Sequence, residues 1–295
     1  MTATSQRSFA PHDTGTLFLV PTPIGNLQDM TYRAVATLKQ VDLIAAEDTR
    51  NTQKLLNNFD IETKQISFHE HNTQERIPEL LAKLKAGVNI AQVSDAGMPS
   101  ISDPGTELVA AAVAEQLTVV PLPGANAGLT ALIASGLVPQ PFYFYGFLNR
   151  KPKEQKAELA ELAKHPETVI VYEAPHRLTK TVSAIAEAVG ADRPLVLCRE
   201  LTKKFEEFIR GNAGEVLDWL AANQPRGEFV ILIGGNTNPP EESADPLLAL
   251  SVEDHVTALI NQGAKTNDAI KAVAKARDLR KQIVYATYHH LNEDD

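Results

Sequence analysis

Between positions 17 and 122 the apolar residues keep two alternating rhythms. Short runs at 17–21, 43–46, 64–68, 89–93 and 117–122 are too brief for helices and rich in Val, Ile and Leu, so strands are expected there. Between them, 31–40, 51–59, 77–85 and 106–115 carry apolar residues at three- and four-residue spacing and are expected to be helices. In 77–85, Ile77, Leu80, Leu81 and Leu84 share one face, while Glu79, Lys83 and Lys85 face away. Strand and helix in alternation imply an α/β fold with a mainly parallel sheet.

After Pro139-Gln140-Pro141 the rhythm restarts with the aromatic run Phe142-Tyr143-Phe144-Tyr145-Gly146-Phe147. Further strands are expected at 168–172, 194–199 and 229–233, and helices at 153–164, 178–189 and 214–221. A boundary therefore falls near 136–141, and no 20–50-residue repeat is present. The chain divides into a disordered tail (1–14), two α/β domains (15–138 and 139–235), a linker (236–249) and a small helical appendage (250–295). In the linker, Pro239-Pro240-Glu241-Glu242 cannot support a packed element. The appendage holds helical patterns at 252–261, 267–276 and 281–290.

Composition adjusts this picture in three ways. With 295 residues, 43% of them hydrophobic, the chain can bury one large core or two medium ones. The single cysteine, Cys198, follows Leu195-Val196-Leu197 and is expected to be a buried structural thiol without a disulfide partner. The first fourteen residues lack a secretory apolar segment and no later stretch approaches the ~18 apolar residues of a membrane span, so a cytoplasmic protein is expected.

The formal net charge of −9 argues against a uniformly nucleic-acid-binding surface, so any such contact must be local. Between Lys265 and Lys281, within the appendage, the sign reverses. Lys265, Lys271, Lys275, Arg277, Arg280 and Lys281 stand against Asp268 and Asp278, a local charge of +4. Either this is a patch that orders on a partner, or it is a solvated helical face.

Chemistry gathers at strand ends. The first strand leads into Pro21-Thr22-Pro23-Ile24-Gly25-Asn26-Leu27, which is not the G-x-G-x-x-G of a dinucleotide site, and no P-loop is present. After the strand at 89–93 comes Ser94-Asp95-Ala96-Gly97-Met98-Pro99, then Ser102-Asp103-Pro104-Gly105. Small and turn-forming residues at the carboxyl end of a parallel strand expose backbone amides and carbonyls where open α/β sheets hold ligands. Asp103-Pro104 reads equally well as the cap and first position of a helix. Pro121-Leu122-Pro123-Gly124-Ala125-Asn126 repeats the same chemistry one strand later.

Glu47-Asp48-Thr49-Arg50 places two carboxylates and a guanidinium at another strand end, although Asp48 or Thr49 could simply cap the next helix. His69-Glu70-His71-Asn72 has no third ligand at metal spacing and reads as a substrate-facing polar loop; no metal is expected. Tyr172-Glu173-Ala174-Pro175-His176-Arg177, Arg199-Glu200-Leu201-Thr202 and Arg226-Gly227-Glu228 border apolar strands with charges, as functional groups or as solvated ends.

Taken in order, the segments VPTPIGNL (20–27), AAEDTR (45–50), HEHN (69–72), VSDAGMPSISDPG (93–105), PLPGANA (121–127), YEAPHR (172–177), CRELTK (198–203) and RGEFV (226–230) resemble one family closely. It is the ribosomal RNA small-subunit methyltransferase I family, cytidine 2′-O-ribose methyltransferases of the tetrapyrrole-methylase fold. The resemblance spans about 16–235 and continues weakly into the basic tail. It implies two α/β domains with S-adenosylmethionine folded in the cleft between them, 16S ribosomal RNA as substrate, and a homodimer. It implies cofactor contacts from Pro23, Ile24 and Gly25, from Ser94, Asp95, Ala96, Gly97 and Pro99, and from Pro123, Gly124 and Ala125. The wider tetrapyrrole-methylase pattern has a G-x-G-type turn after strand 1 and Gly-Asp-Pro after strand 4. Here Thr22-Pro23-Ile24 and Ser94-Asp95-Ala96-Gly97-Met98-Pro99 stand in those places, which favours RNA over a porphyrin substrate.

A sulfonium methyl donor is already activated, so alignment is the main gain available to an enzyme. A ribose hydroxyl is a weak nucleophile and benefits from a base, or from a cation beside the developing alkoxide. Glu47, Asp48 and then Glu173 are the base candidates, and Arg50, Arg177 and Arg199 the alkoxide or phosphate partners. RNA contacts are expected from His69, His71 and Asn72 and from Lys265, Lys271, Lys275, Arg277, Arg280 and Lys281. Two rivals stand beside this reading: a same-fold methyltransferase acting on a tetrapyrrole or other small molecule, which a basic tail would not serve, and a catalytically silent RNA-binding assembly factor.

Overall fold

A computed structural model describes residues 3–237 and 246–291. The chain separates into two compact units, 1–236 and 237–295. The expected linker lies mostly outside the described residues, as do 292–295 of the expected appendage and the first two residues of the expected tail.

The first sheet contains β1 (Thr16–Leu19), β2 (Leu43–Ala46), β3 (Gln65–Ser67), β4 (Ile90–Val93) and β5 (Thr118–Pro121). Its order is β3-β2-β4-β1-β5 and every pairing is parallel. Helices α1 (Tyr32–Gln40), α2 (Thr49–Asn58), α3 (Thr73–Lys85) and α4 (Thr106–Ala114) cover both faces. Side chains alternate across a strand, so Ile44 packs with Leu38, Leu56 and Val93 while its neighbour Ala45 packs with Leu17, Leu80 and Leu108. Strands β4, β1 and β5 are neighbours, and parallel pairing puts their carboxyl ends on one edge.

Two boundaries differ from the periodicity. Helix α3 starts at Thr73, not 77, and runs through Pro78, because its first turn is polar (Thr73, Gln74, Glu75, Arg76) and apolar spacing has nothing to mark there. Helix α4 is capped by Gly105 at φ 139°, so Asp103 is not its cap and is left free for another task.

The second half contributes α5 (Ala127–Ser135), β6 (Phe142–Phe147), α6 (Pro152–Leu162), β7 (Thr168–Glu173), α7 (Pro175–Val189), β8 (Pro194–Arg199), β9 (Glu207–Asn212), α8 (Ala213–Ala222) and β10 (Phe229–Ile233). This sheet is mixed, ordered β6-β7-β10-β8-β9. Only β6 and β7 run parallel; β10 is antiparallel to β7 and β8, and β9 to β8. On one face, Leu159, Leu178, Val182, Ile185 and Val216 meet Val169, Val171, Leu197 and Ile231. On the other, Ala131 and Leu132 of α5 pack on Ile170, Val196, Cys198 and Val230. The chain thus begins to cover the second sheet at α5, ahead of the expected boundary.

The tail holds no helix or strand among its described residues, yet Gln6 donates to the Val119 carbonyl at 2.9 Å and accepts from its N–H at 3.0 Å, occupying the free edge of β5. In the second unit, α9 (Val252–Asn261), α10 (Thr266–Ala276) and α11 (Lys281–Tyr288) enclose a core of their own from Val256, Ile270, Val273 and Val284. No described helix is long and apolar enough to cross a membrane.

Candidate functional site

Three loops leave the carboxyl ends of β1, β4 and β5, and they meet at Gly97. The N–H groups of Thr22 and Gly97 each donate to the other's carbonyl at 3.0 Å, and Thr22 Oγ1 donates to the Ser94 carbonyl at 3.0 Å. Gly97 sits at φ 78°, in the left-handed region. A Cβ there would lie 3.3 Å from Ile24 Cγ2 and 3.5 Å from the Ala125 carbonyl.

Above this junction opens a cavity of ≈ 510 Å³, of a size for a small organic ligand. Ile24, Ala96, Gly97, Met98 and Ile101 line one side and Tyr172, Cys198, Leu201, Phe229 and Val230 the other, with Asn126 and Ala127 between. Among the cofactor residues expected from the sequence, Ile24, Asp95, Ala96 and Gly97 line the cavity. Pro23, Gly25, Ser94, Pro99, Pro123, Gly124 and Ala125 do not line it. Some of these brace it from behind: Gly124 packs on Pro21, and Gly25, at φ 151°, leaves room for the Lys203 stem, which a Cβ would meet at 2.4 Å.

Acids gather at one rim. Glu47, Asp95 and Asp103 all line the cavity. Glu47 accepts from the Asp95 N–H at 3.2 Å, and Asn51 donates to the Asp95 carboxylate at 3.0 Å. Burial pushes the Glu47 carboxyl above its ordinary pKa, and the charges of Asp103, Asp95 and Asp48 add to that. Asp103 is raised for the same reasons, first burial and then Asp95. Lys203, also in the lining, lies 3.0 Å from Glu200 and 2.9 Å from Glu228. Burial opposes the charge on Lys203, but the two carboxylates outweigh it and raise its pKa.

Glu173 is only 3% exposed. One oxygen accepts from the Ala174 N–H at 2.8 Å; the other accepts from Thr181 Oγ1 at 2.6 Å and faces Arg177 at 3.4 Å. Tyr172 accepts from the Gly128 N–H at 2.9 Å through its hydroxyl, and Phe147, 60% exposed, packs edge-on to it with ring centroids 5.5 Å apart. Burial pushes the Cys198 thiol up to about 12, which fits an inert packing role.

Among the expected catalytic residues, Glu47 and Glu173 reach the cavity; Asp48, Arg50, Arg177 and Arg199 do not line it. Asp48 caps α2, accepting from the Arg50 N–H at 2.8 Å, and grips the exposed Arg50 guanidinium at 2.6 Å. That guanidinium holds the Asp48 carboxyl well below its ordinary range. Arg177 donates to the Asn149 carbonyl at 3.2 Å, while Arg199 donates to the Arg226 carbonyl at 2.8 Å and to Glu207 at 3.0 Å. Asp103, Lys203, Tyr172 and Phe147 line the cavity although none is among the expected catalytic or cofactor residues. Asp103 reads equally well as a helix cap, and the signals for Tyr172 are the end of an apolar strand and the start of the YEAPHR segment.

His69, His71 and Asn72 stand outside the cavity lining, in a short 3-10 turn (Glu70–Asn72) and its cap. Asn72 is spent locally, accepting from the His69 N–H at 2.9 Å and donating to the Ser67 carbonyl at 3.2 Å. In the second unit, Lys265, Lys271, Lys275, Arg280 and Lys281 are exposed and carry no ion pair among the described residues. Arg277 is different: it donates to the carbonyls of Leu247 at 2.9 Å and Leu250 at 2.6 Å.

Comparison with known proteins places this geometry. Residues 16–217 match the family profile "Tetrapyrrole (Corrin/Porphyrin) Methylases". The chain is 55% identical to "Ribosomal RNA small subunit methyltransferase I" of Bacillus subtilis (strain 168), over 94% of this chain and 95% of that protein. Its identity to the protein of that name from Synechocystis sp. is 47%, over 95% and 99%. Among solved structures, cobalt precorrin-4 methyltransferase superposes with a TM-score of 0.58 at 21% identity, covering 74% of this chain and 94% of that one. Uroporphyrin-III C-methyl transferase from Thermus thermophilus, complexed with S-adenyl homocysteine, gives 0.54 at 18% identity, covering 75% and 97%. These structural likenesses establish the fold, two α/β halves of the tetrapyrrole-methylase type. The profile over 16–217 and the near full-length relatives together set the kinship: the chain belongs to the tetrapyrrole-methylase family and, within it, to the ribosomal RNA small subunit methyltransferase I proteins.

Proposed function

We propose that this protein transfers the methyl group of S-adenosylmethionine to the ribose 2′-hydroxyl of a cytidine in small-subunit (16S) ribosomal RNA. The observation that carries the reading is the convergence of the β1, β4 and β5 loops at Gly97, beneath a ≈ 510 Å³ cavity that is acidic at one rim and apolar within.

The residues present suit that cofactor. Ile24, Met98 and Ile101 offer apolar surface to a purine, and the carboxylates of Glu47, Asp95 and Asp103 complement a ligand carrying an ammonium and a sulfonium. When bound, the cofactor supplies a methyl group already activated on a positively charged sulfur. The protein's part is alignment and proton management. Glu47, with its pKa raised toward the working pH, is the group best matched to take the hydroxyl proton. Lys203, held charged in the cavity lining, stabilises negative charge developing on the ribose oxygen. Exposed Lys265, Lys271, Lys275, Arg280 and Lys281 give the appendage its phosphate contacts. The resemblance adds a homodimer and a cytoplasmic setting.

Calorimetry with S-adenosylmethionine, followed by mass mapping of ribose methylation on small-subunit RNA from a deletion strain, tests this. The deletion strain lacks one 2′-O-methylcytidine that returns with the wild-type chain and not with Glu47→Gln. An unaltered methylation map would refute the activity.

A further inference from the structure

Beside the cofactor cavity lies a second, larger opening of ≈ 1190 Å³, framed by α6 and α7. Phe147, Glu173 and Ala174 line both, so the two adjoin. Arg150, Lys156, His176 and Lys180 flank this groove, all exposed and without an ion pair among the described residues. His176 and Lys180 are four apart on α7 and share a face. In the same region Lys151 pairs with Glu154, Lys164 with Glu161 and Arg177 with Glu173, while Lys153 of α6 is unpaired among the described residues and lies outside the groove lining. The pairing spares the groove-lining Lys156 and Lys180. The groove's acids are the exposed Glu187 and Glu173, which is buried and already hydrogen-bonded.

Electrostatics decides how a polyanion can approach the reaction site. Glu47, Asp95 and Asp103 repel phosphates at their rim, and Lys203, balanced by Glu200 and Glu228, adds no net positive charge there to draw in a polyanion. The α6–α7 groove is the neighbouring surface with spare positive charge, on a chain whose net charge is −9. Phe147, shared by both linings and 60% exposed, offers a flat apolar face between the groove and the cavity. Enzymes acting on single nucleotides take them unstacked, and exposed aromatic rings replace the lost stacking.

We propose that the α6–α7 groove binds a single-stranded stretch of the RNA substrate, its phosphodiester backbone along Lys156 and Lys180 and the base of the reacting nucleotide against Phe147. This rests on the RNA methyltransferase reading above. The sugar of that nucleotide then enters the cavity from the cationic side while its phosphates stay off the acidic rim.

The test uses the full-length protein with small-subunit RNA transcript and, separately, with assembled small subunits from the deletion strain. Lys156→Ala/Lys180→Ala is expected to raise the KM for RNA at least about tenfold while kcat at saturation stays within about twofold. The slope of log affinity against log salt should fall by about 1.4, from two lost single-strand phosphate contacts. Calorimetric affinity for S-adenosylmethionine is expected to match wild type, which also reports that the variant folds. Lys151→Ala/Lys164→Ala, removing equal charge from ion-paired sites, should change none of these. If the groove variant keeps the wild-type KM and salt slope while wild type methylates RNA, the groove assignment falls and the RNA reading stands. If wild type neither binds nor methylates RNA, both fall.

Discussion

Thr22 and Gly97 exchange both of their backbone hydrogen bonds at 3.0 Å, a single antiparallel bridge between two loops that leave neighbouring parallel strands. Two bonds between loops cost little when strand pairing has already brought the loop bases together. They hold the backbone of 95–98 at the cavity wall. The left-handed conformation of Gly97 is therefore a condition of the site.

Gly97→Ala places a methyl group 3.3 Å from Ile24 and 3.5 Å from the Ala125 carbonyl at φ 78°. The variant is expected to lose about 1–3 kcal/mol of stability, the usual cost of a non-glycine residue held in such a region. It should also bind S-adenosylmethionine at least about tenfold more weakly. Thermal unfolding and calorimetry check the two effects separately, and wild-type affinity in the variant would detach the 94–99 loop from the ligand.

The Glu47 pKa is raised above its ordinary 4.5, so the folded protein holds this proton more tightly than the unfolded chain does. Its contribution therefore favours folding below pH 4.5 and is lost as the pH climbs through the raised value. At neutral pH the half-buried charge is a standing cost. Glu47→Gln should be more stable than wild type at pH 7–8, with the difference vanishing near pH 4, while kcat falls by about 10²–10⁴-fold. A full kcat would remove Glu47 as proton acceptor; a stability gap that does not change with pH would contradict the desolvation account.

How far the sequence could be read follows from what each element shows to solvent and core. The five strands and four helices of the first sheet are legible because both faces of the sheet are buried and most of their apolar residues pack into one of two cores. Strand β9 is not, since Glu207, Arg210 and Asn212 give an edge strand little apolar alternation. Helix α5 is hidden by its small and mostly apolar residues, Ala-Gly-Leu-Thr-Ala-Leu-Ile-Ala-Ser, whose two hydroxyls are too few to set a polar period. The site divided in the same way. Loops at strand ends were legible, but Lys203 reaches the cavity only because Gly25, far away in sequence, leaves space for its stem. Conversely, Asp48 and Arg50 looked like site chemistry and are paired to each other outside the cavity lining.

Both oxygens of Glu173 are occupied, by the Ala174 N–H, by Thr181 Oγ1 and by Arg177. A carboxylate so committed positions the β7–α7 junction, and taking a substrate proton would cost it its charged pairing with Arg177. Glu173→Gln leaves the Arg177 charge without its buried partner and is expected to cost about 3–5 kcal/mol. Denaturant unfolding should register that loss, and kcat of the folded fraction should fall less than in Glu47→Gln. The opposite ranking, with stability intact and methyl transfer abolished, would make Glu173 the base.

The appendage offers a test in which charge and structure come apart. Arg277 donates to the carbonyls of Leu247 and Leu250, fastening the segment that enters α9, whereas Lys271 and Lys275 stand four apart on an exposed face of α10 whose opposite side buries Ile270 and Val273. Arg277→Ala is therefore expected to speed amide exchange throughout α9 and α10, because the carbonyls it held lose a charged donor worth about 1.5–3 kcal/mol. Lys271→Ala/Lys275→Ala should leave exchange unchanged, yet weaken RNA binding by about three- to tenfold and lower the salt slope by about 1.4. RNA affinity that ignores the lysine pair would make this surface a solvated face. Affinity that falls only with Arg277→Ala would mean that RNA reads the folded shape of the appendage and not its charge.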